Sequence, residues 1–189
     1  MYFPDNTVMI NFAIIGEMGL LKRLLRGQGQ WVGAVEAECE DSYRTGLYIG
    51  IDQAFEFMPD PILLEPFETR EARLIRQSIA DPLDKPTKSL GEAETIAVIT
   101  NRRIHGATFI TDDEGAKQYI VNEDLPIKVY TTTDLLALAV KVEYLTQELA
   151  EAHIDTLVAQ RRKRISINRF HRVLRQGSQN RSPQKSGVS

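Results

Sequence analysis

Residues 90–104, Leu-Gly-Glu-Ala-Glu-Thr-Ile-Ala-Val-Ile-Thr-Asn-Arg-Arg-Ile, run almost directly into residues 107–117, Ala-Thr-Phe-Ile-Thr-Asp-Asp-Glu-Gly-Ala-Lys. The apolar residues of the first stretch recur at helical spacing and predict a helix from Gly91 to Ile104. Ala107 to Thr111 is a short β-branched and aromatic run that fits a buried strand. Asp113 to Val121 then returns to a helical pattern. Helix, strand and helix in succession are the building unit of a parallel sheet with helices on its faces. In such a sheet, ligands gather at the carboxyl ends of the strands, where each strand turns into the next helix.

The same alternation extends in both directions. Upstream, Tyr2-Phe3-Pro4 reads as a short extended lead, with Pro4 holding Phe3 out of the helical region. Asp5-Asn6-Thr7 opens an apolar segment through Ile15, read as a short strand passing into a helix. Glu17 to Leu25 is a second helix, closed by Gly27 and Gly29. Trp31-Val32 suggests a brief strand, and Ala34 to Tyr43 a helix carrying Glu36, Glu38 and Glu40. Leu47 to Phe57 is read as helical, Ile62-Leu63-Leu64 as a strand between prolines, and Thr69 to Ile79 as a helix. The prolines at 82 and 86 make Asp81 to Ser89 a loop. Downstream, Ile127 to Tyr130 is a further strand, and Asp134 to Val142 a helix capped by Asp134. Thr146 to Arg164 is a long helix, and the polar residues from Gln176 onward have the composition of a disordered segment. The fold class is α/β.

Composition limits the chemistry. The 189 residues are 42% hydrophobic and 26% charged, which suits one ordinary domain with terminal decoration. A lone cysteine, Cys39, rules out an intramolecular disulfide and a thiolate zinc site. The first residues lack a basic stretch followed by an apolar core, and the longest apolar run, Val8 to Ile15, is far too short for a bilayer. A cytoplasmic protein that does not enter the membrane is expected.

Charge is divided unevenly. Of 23 Lys and Arg, nine lie between Arg161 and Ser189, where there is no Asp or Glu; the first 160 residues therefore carry 14 basic against 26 acidic side chains, a net charge of −12. An acidic body with a basic tail suggests two separate jobs, although a charge run is most often a solvated surface. Nucleic acid would approach such a body only with cations or the tail to offset repulsion.

Three acidic clusters fall at strand-to-helix junctions or helix starts: Asp5, Glu92 with Glu94, and Asp112 with Asp113. A fourth acid comes from Glu36, Glu38 or Glu40. Carboxylates gathered on one sheet edge repel one another unless neutralised, and hard divalent cations with oxygen ligands are the usual neutralising partners. Each acid also has a purely structural explanation. Ser89 to Glu92 and Thr111 to Glu114 both match capping boxes, and Asp5 matches a plain N-cap. No Gly-rich phosphate loop, Walker lysine or Gly-x-Ser-x-Gly elbow is present. His105, His153 and His171 are scattered, and Cys39 reads as a small buried hydrophobe.

Asp5-Asn6-Thr7-Val8-Met9-Ile10-Asn11 resembles the opening motif of PIN domains. Leu90 to Ala97 resembles a Gly-Glu-Ala-Glu motif from one branch of that superfamily, and Gly106 to Asp113 resembles its closing strand and acidic end. The resemblance covers roughly residues 2–130. It implies a three-layer α/β/α sandwich around a parallel sheet of four or five strands, with C-terminal helices added. The division it implies is a nuclease domain over 1–143, a basic helical extension over 144–175, and a tail over 176–189.

The resemblance also implies cleavage of RNA with Mg²⁺ or Mn²⁺, by water that the metal activates, and many bacterial relatives of VapC type are toxins of toxin–antitoxin pairs. Carried over by position, Asp5, Glu92 and Asp113 are implied metal ligands, with Asp112 an alternate to Asp113. Glu38 is the implied acid on the intervening helix, while Thr7, Asn11 and Glu94 support the site. Two departures stand out: Asn6 replaces the usual Thr, and Glu92 stands where many relatives have Asp. Arg161, Arg162, Lys163 and Arg164 are read as a nucleic-acid contact. RNA, an antitoxin and a second copy are the expected partners. The alternative is a PIN-fold module that binds RNA or a partner with little catalysis.

Overall fold

A computed structural model describes residues 1–80, 88–162 and 164–178. Its contacts separate into two units, Met1–Thr132 and the residues from Thr133 onward. Residues 81–87 of the expected loop lie outside the described set.

In the first unit, β1 (Tyr2–Pro4) leads into α1 (Asn6–Ile14), followed by α2 (Met18–Leu25) and α3 (Gly33–Arg44). A 3-10 turn at Ile51–Gln53 and the single-turn α4 (Ala54–Phe57) precede α5 (Pro66–Ile79) and α6 (Leu90–Asn101). β2 (Thr108–Ile110), α7 (Glu114–Asn122) and β3 (Lys128–Tyr130) complete the unit. The strands pair in parallel in the order β1-β2-β3, with Pro4 opposite Ile110 and Ile110 opposite Tyr130. Every residue of the central β2 is buried, as expected of a strand covered on both faces. Phe3 and Phe109 join Ala72, Ile75, Ile96 and Ile120 in one apolar cluster, which ties the sheet to α5, α6 and α7.

The expected sandwich with four or five strands is not what forms: helix accounts for 62% of the structure, and the sheet has three strands of three residues. Two segments read as strands explain the difference. Trp31-Val32 and Ile62-Leu63-Leu64 contribute only isolated bridges, Val32 to Ile62 and, just upstream, Gly29 to Tyr2. Gly33 opens α3 immediately after Val32, while Pro61 and Pro66 bracket the second segment. Proline supplies no ladder donor, and Pro66 occupies a first-turn helix position where it is favoured. Each extended stretch therefore ends before a ladder can propagate. The helix expected over Leu47 to Phe57 is likewise broken, because Gly46 and Gly50 adopt left-handed conformations at φ 67° and 87°.

The second unit contains most of α8 (Thr132–Lys141), then α9 (Gln147–Ala159) and α10 (Ile167–Ser178). Thr146 caps α9 by accepting from the Leu149 amide at 3.2 Å. The long helix expected to reach Arg164 stops at Ala159, because Arg161 turns left-handed at φ 55° and the Arg161 and Arg162 amides bond back to Val158 and Leu157. Ile167, Phe170 and Leu174 then supply the apolar stripe of α10, with Phe170 fully buried. Asp134 lies inside α8 and is not its cap; its carboxylate pairs with Arg169 at 2.7 and 3.2 Å. Gln176, where disorder was expected to begin, belongs to α10; residues 179–189 lie outside the described set. No helix among the described residues is long and apolar enough to cross a membrane.

Candidate active site

Parallel pairing of β1 with β2 brings two acidic junctions together. The Asp5 amide donates to the Ile110 carbonyl at 2.9 Å, so Asp5 leaves β1 beside the point where the chain leaves β2 for Asp112 and Asp113. Asp5 is the N-cap of α1, with Oδ2 accepting from the Thr7 amide at 3.3 Å. Polar groups of Thr7 and Asn6 also favour the charged form of this carboxylate. Its other oxygen, Oδ1, is buried without a hydrogen-bond partner. Capping therefore explains only half of this side chain, and an orphan buried acceptor calls for another explanation.

α3 and α6 deliver two more acids. Their backbones approach closely at Gly91, where an added Cβ would stand 2.8 Å from Val35 Cγ2 and 3.5 Å from both Glu38 carboxylate oxygens. The Gly91 amide donates to Glu38, which uses one of the unpaired donors of the α6 N-terminus. Glu92, one residue on, is buried. The capping box expected to occupy it does not form, since Ser89 is left-handed at φ 59° and makes no side-chain cap.

The electrostatics show that these acids sense one another. Burial, followed by the charge of Asp5, pushes Glu92 up to about 9, with Glu38 and Asp113 adding to the effect. Burial and then Asp5 push Glu38 up to about 8. Asp5 rises to about 6, again through burial first, with hydrogen bonds from Thr7 and Asn6 opposing and Asp113 reinforcing. The leading causes of these shifts are burial, hydrogen bonds and neighbouring acids; among the described residues no lysine, arginine or histidine figures in them.

The two aspartates at the end of β2 part company. Asp113 caps α7, accepting from the Ala116 amide at 2.8 Å, and its charge reaches Asp5 and Glu92. Asp112 turns the other way. It accepts from Asn11 Nδ2 at 2.9 Å, from the Thr132 amide at 3.1 Å and from the Thr132 hydroxyl at 2.6 Å. Asn11 Nδ2 also donates to Thr132 Oγ1 at 3.0 Å. Asp112 thus belongs to a buried network that ties α1, the end of β2 and Thr132 together, and Asn11 serves that network. Thr132 was not singled out in the sequence; its only signal was the Thr131-Thr132-Thr133 run.

The remaining candidates separate from this cluster in different ways. Glu94 accepts from the Ala34 amide at 3.2 Å, giving α3 the cap that Val32 cannot supply. Glu40 is exposed and pairs with Arg44 at 2.8 Å, which leaves Glu38 as the α3 acid facing Asp5 and Glu92. Burial pushes the Cys39 thiol up to about 12, so it is an inert core residue beside the cluster. Arg161, Arg162 and Arg164 occupy the turn between α9 and α10 in the second unit, not a helix; Lys163 lies outside the described residues.

The donors are suited in kind to a hard divalent cation: all are oxygens, they repel one another, and one buried acceptor lacks a partner. Among the described residues, no three acidic, histidine or cysteine side chains form a group that could hold an ion as they stand. The cluster supplies charge and ligand type without a closed cage. Comparison with family models, with curated proteins and with solved structures gives no match.

Proposed function

We propose that the chain is a divalent-cation-dependent ribonuclease. The observation that carries this reading is the gathering of Asp5, Glu38 and Glu92, three largely buried carboxylates in which the charge of Asp5 raises the proton affinity of Glu38 and Glu92, and Glu38 adds to that of Glu92. The ordered motifs that resemble PIN domains support it independently of the sheet architecture. Asp5, Glu92 and Asp113 are the residues that would hold the cation. When bound, such an ion makes water more acidic and stabilises charge on phosphodiester oxygens.

The chain's own groups do the rest. Asp112, fixed by Asn11 and Thr132, anchors the end of β2 and so sets where Asp113 stands opposite Asp5. Thr7 and Asn6 hold Asp5 in its capping geometry, leaving Oδ1 for a ligand. Glu38, kept in place by the Gly91 amide, is the proton carrier: its carboxylate takes a proton from water and returns one to the leaving oxygen.

Purified protein should cleave single-stranded RNA with Mn²⁺ or Mg²⁺ and lose that activity in EDTA. Asp5→Asn should reduce cleavage by on the order of 10³-fold, the usual scale for removing a principal electrostatic group. Cation-dependent cleavage that survives this substitution would reject the assignment.

The exposed basic side chains Arg161, Arg164, Arg172 and Arg175 favour one other reading, a binding module that uses them against RNA. Calorimetry separates the two. Salt-sensitive RNA binding with no heat from Mn²⁺ would select the module.

A further inference from the structure

The exposed apolar side chains are concentrated in one stretch of the first unit's sequence. Tyr43, Leu47, Ile49, Phe55, Leu63 and Phe67 are half of the exposed large hydrophobic residues among those described, yet they fall within 25 consecutive positions. Ile49 is 88% exposed and Leu47 74%. Isolated exposed hydrophobes are ordinary, whereas a local concentration marks a contact surface.

This loop is also built, not slack. Thr45 Oγ1 donates to the Ser42 carbonyl at 2.7 Å and accepts from the Leu47 amide at 3.2 Å. Gly46 and Gly50 turn the chain at left-handed φ, and Ile51, fully buried, pins its far end. Between the glycines, Leu47 and Ile49 are exposed, and Ile49 lines a cavity of about 220 Å³ together with Tyr43, Tyr48 and Asp52. A fixed loop spends less conformational freedom on binding than a floppy one.

Charge identifies the occupant. Between residues 40 and 65 the exposed ionisable side chains are Glu40, Asp41, Asp52, Glu56, Asp60 and Glu65 against the single cation Arg44. Arg44 is itself engaged with Glu40 and Asp41, at 2.8 and 3.3 Å. Such a rim repels phosphate backbones and attracts lysine and arginine.

We propose that residues 43–67 form a docking surface for a protein segment that presents apolar side chains flanked by lysine or arginine. An apolar anchor enters the cavity between Tyr43, Tyr48 and Ile49, and the flanking cations meet Asp52 and its acidic neighbours. The inference does not depend on nuclease activity.

A random twelve-residue peptide library, selected on the whole protein and counter-selected on Ile49→Asp, tests the chemistry of the occupant directly. Enriched peptides should combine apolar residues with net positive charge. A synthetic copy of the most enriched peptide should bind at least tenfold more weakly to Ile49→Asp and to Asp52→Lys, both at exposed positions and both checked for folding by circular dichroism. Neutral or acidic peptides, no enrichment, or affinity unchanged in Ile49→Asp would overturn the proposal. Sedimentation of the wild type provides a further check: a dimer that Ile49→Asp dissociates would make a second copy the occupant and overturn it as well.

Discussion

Glu68 and Asp5 are each 1% exposed in the same unit, and their proton affinities move in opposite directions. Glu68 accepts from Arg102 Nε at 2.7 Å, from Arg102 Nη2 at 2.8 Å and from the Glu65 amide at 2.8 Å, completing the capping box of α5. Those bonds, the Arg102 one foremost, hold its carboxyl below the usual range despite the cost of burial. Asp5 meets burial with only hydroxyl and amide donors on one oxygen, faces other acids, and is pushed up. A buried carboxylate therefore carries no functional meaning by itself. What distinguishes the two is whether the chain supplies the countercharge.

The contrast can be broken most forcefully at the satisfied site. Arg102→Ala leaves Glu68 buried and unpaired and frees the Leu63 carbonyl that Arg102 also engages at 2.8 Å. Urea unfolding at neutral pH should show a loss of about 2–3 kcal/mol, below the range for a fully buried pair because Arg102 is partly exposed. A loss under half a kilocalorie would mean that Arg102 does not neutralise Glu68, and the comparison would fail. Gly91→Ala tests the other site by packing. Its methyl group would stand 2.8 Å from Val35 Cγ2, a β-branched atom with little room to yield. Separation of α3 and α6 should cost about 2 kcal/mol. Cleavage should fall more steeply than stability, because Glu38 loses its amide donor. Equal activity per folded molecule would remove Glu38 from the site.

Much of this arrangement was legible in local patterns. The helical period of Leu90 to Asn101, the strand Thr108–Ile110 and the acids at its end fall within 24 consecutive residues, Asp5 stands at the matching junction after β1, and the parallel pairing follows from the alternation. What was misread depends on distant partners. Trp31-Val32 and Ile62-Leu63-Leu64 have strand composition, but a ladder needs length, and Gly33, Pro61 and Pro66 end each stretch at a single bridge. Asp112 and Asp113 are indistinguishable by position; their roles diverge only because Asn11 and Thr132, far away in sequence, meet Asp112. The stripe Ile167, Phe170 and Leu174 of α10 was present in the sequence but masked by the charge around it, since Arg169, His171 and Arg172 are interleaved with it. Folding separates them, with Arg169 engaging Asp134 and His171 engaging Glu151 at 2.8 Å.

The smallest effect sharpens the comparison most, because its sign is opposite to that of the first. Glu92 titrates near 4.5 when unfolded and is pushed to about 9 in the folded chain, chiefly by burial and by Asp5. Between those values the folded state retains a proton that the unfolded state has released. Its contribution to stability is therefore complete at acid pH and is lost progressively as the pH rises toward 9. Glu92→Gln, which mimics the protonated form, should match the wild type near pH 5. In EDTA at pH 8 it should melt at least about 2–4 °C higher, the shift that about 1 kcal/mol produces in a chain of this size. Mn²⁺ should then raise the melting temperature of the wild type more than that of the variant, because ligand binding to the folded state adds stability and the variant has lost one donor. A structural Glu92, held by partners as Glu68 is, would give the reverse: Glu92→Gln would melt lower at pH 8, and Mn²⁺ would not distinguish the two proteins.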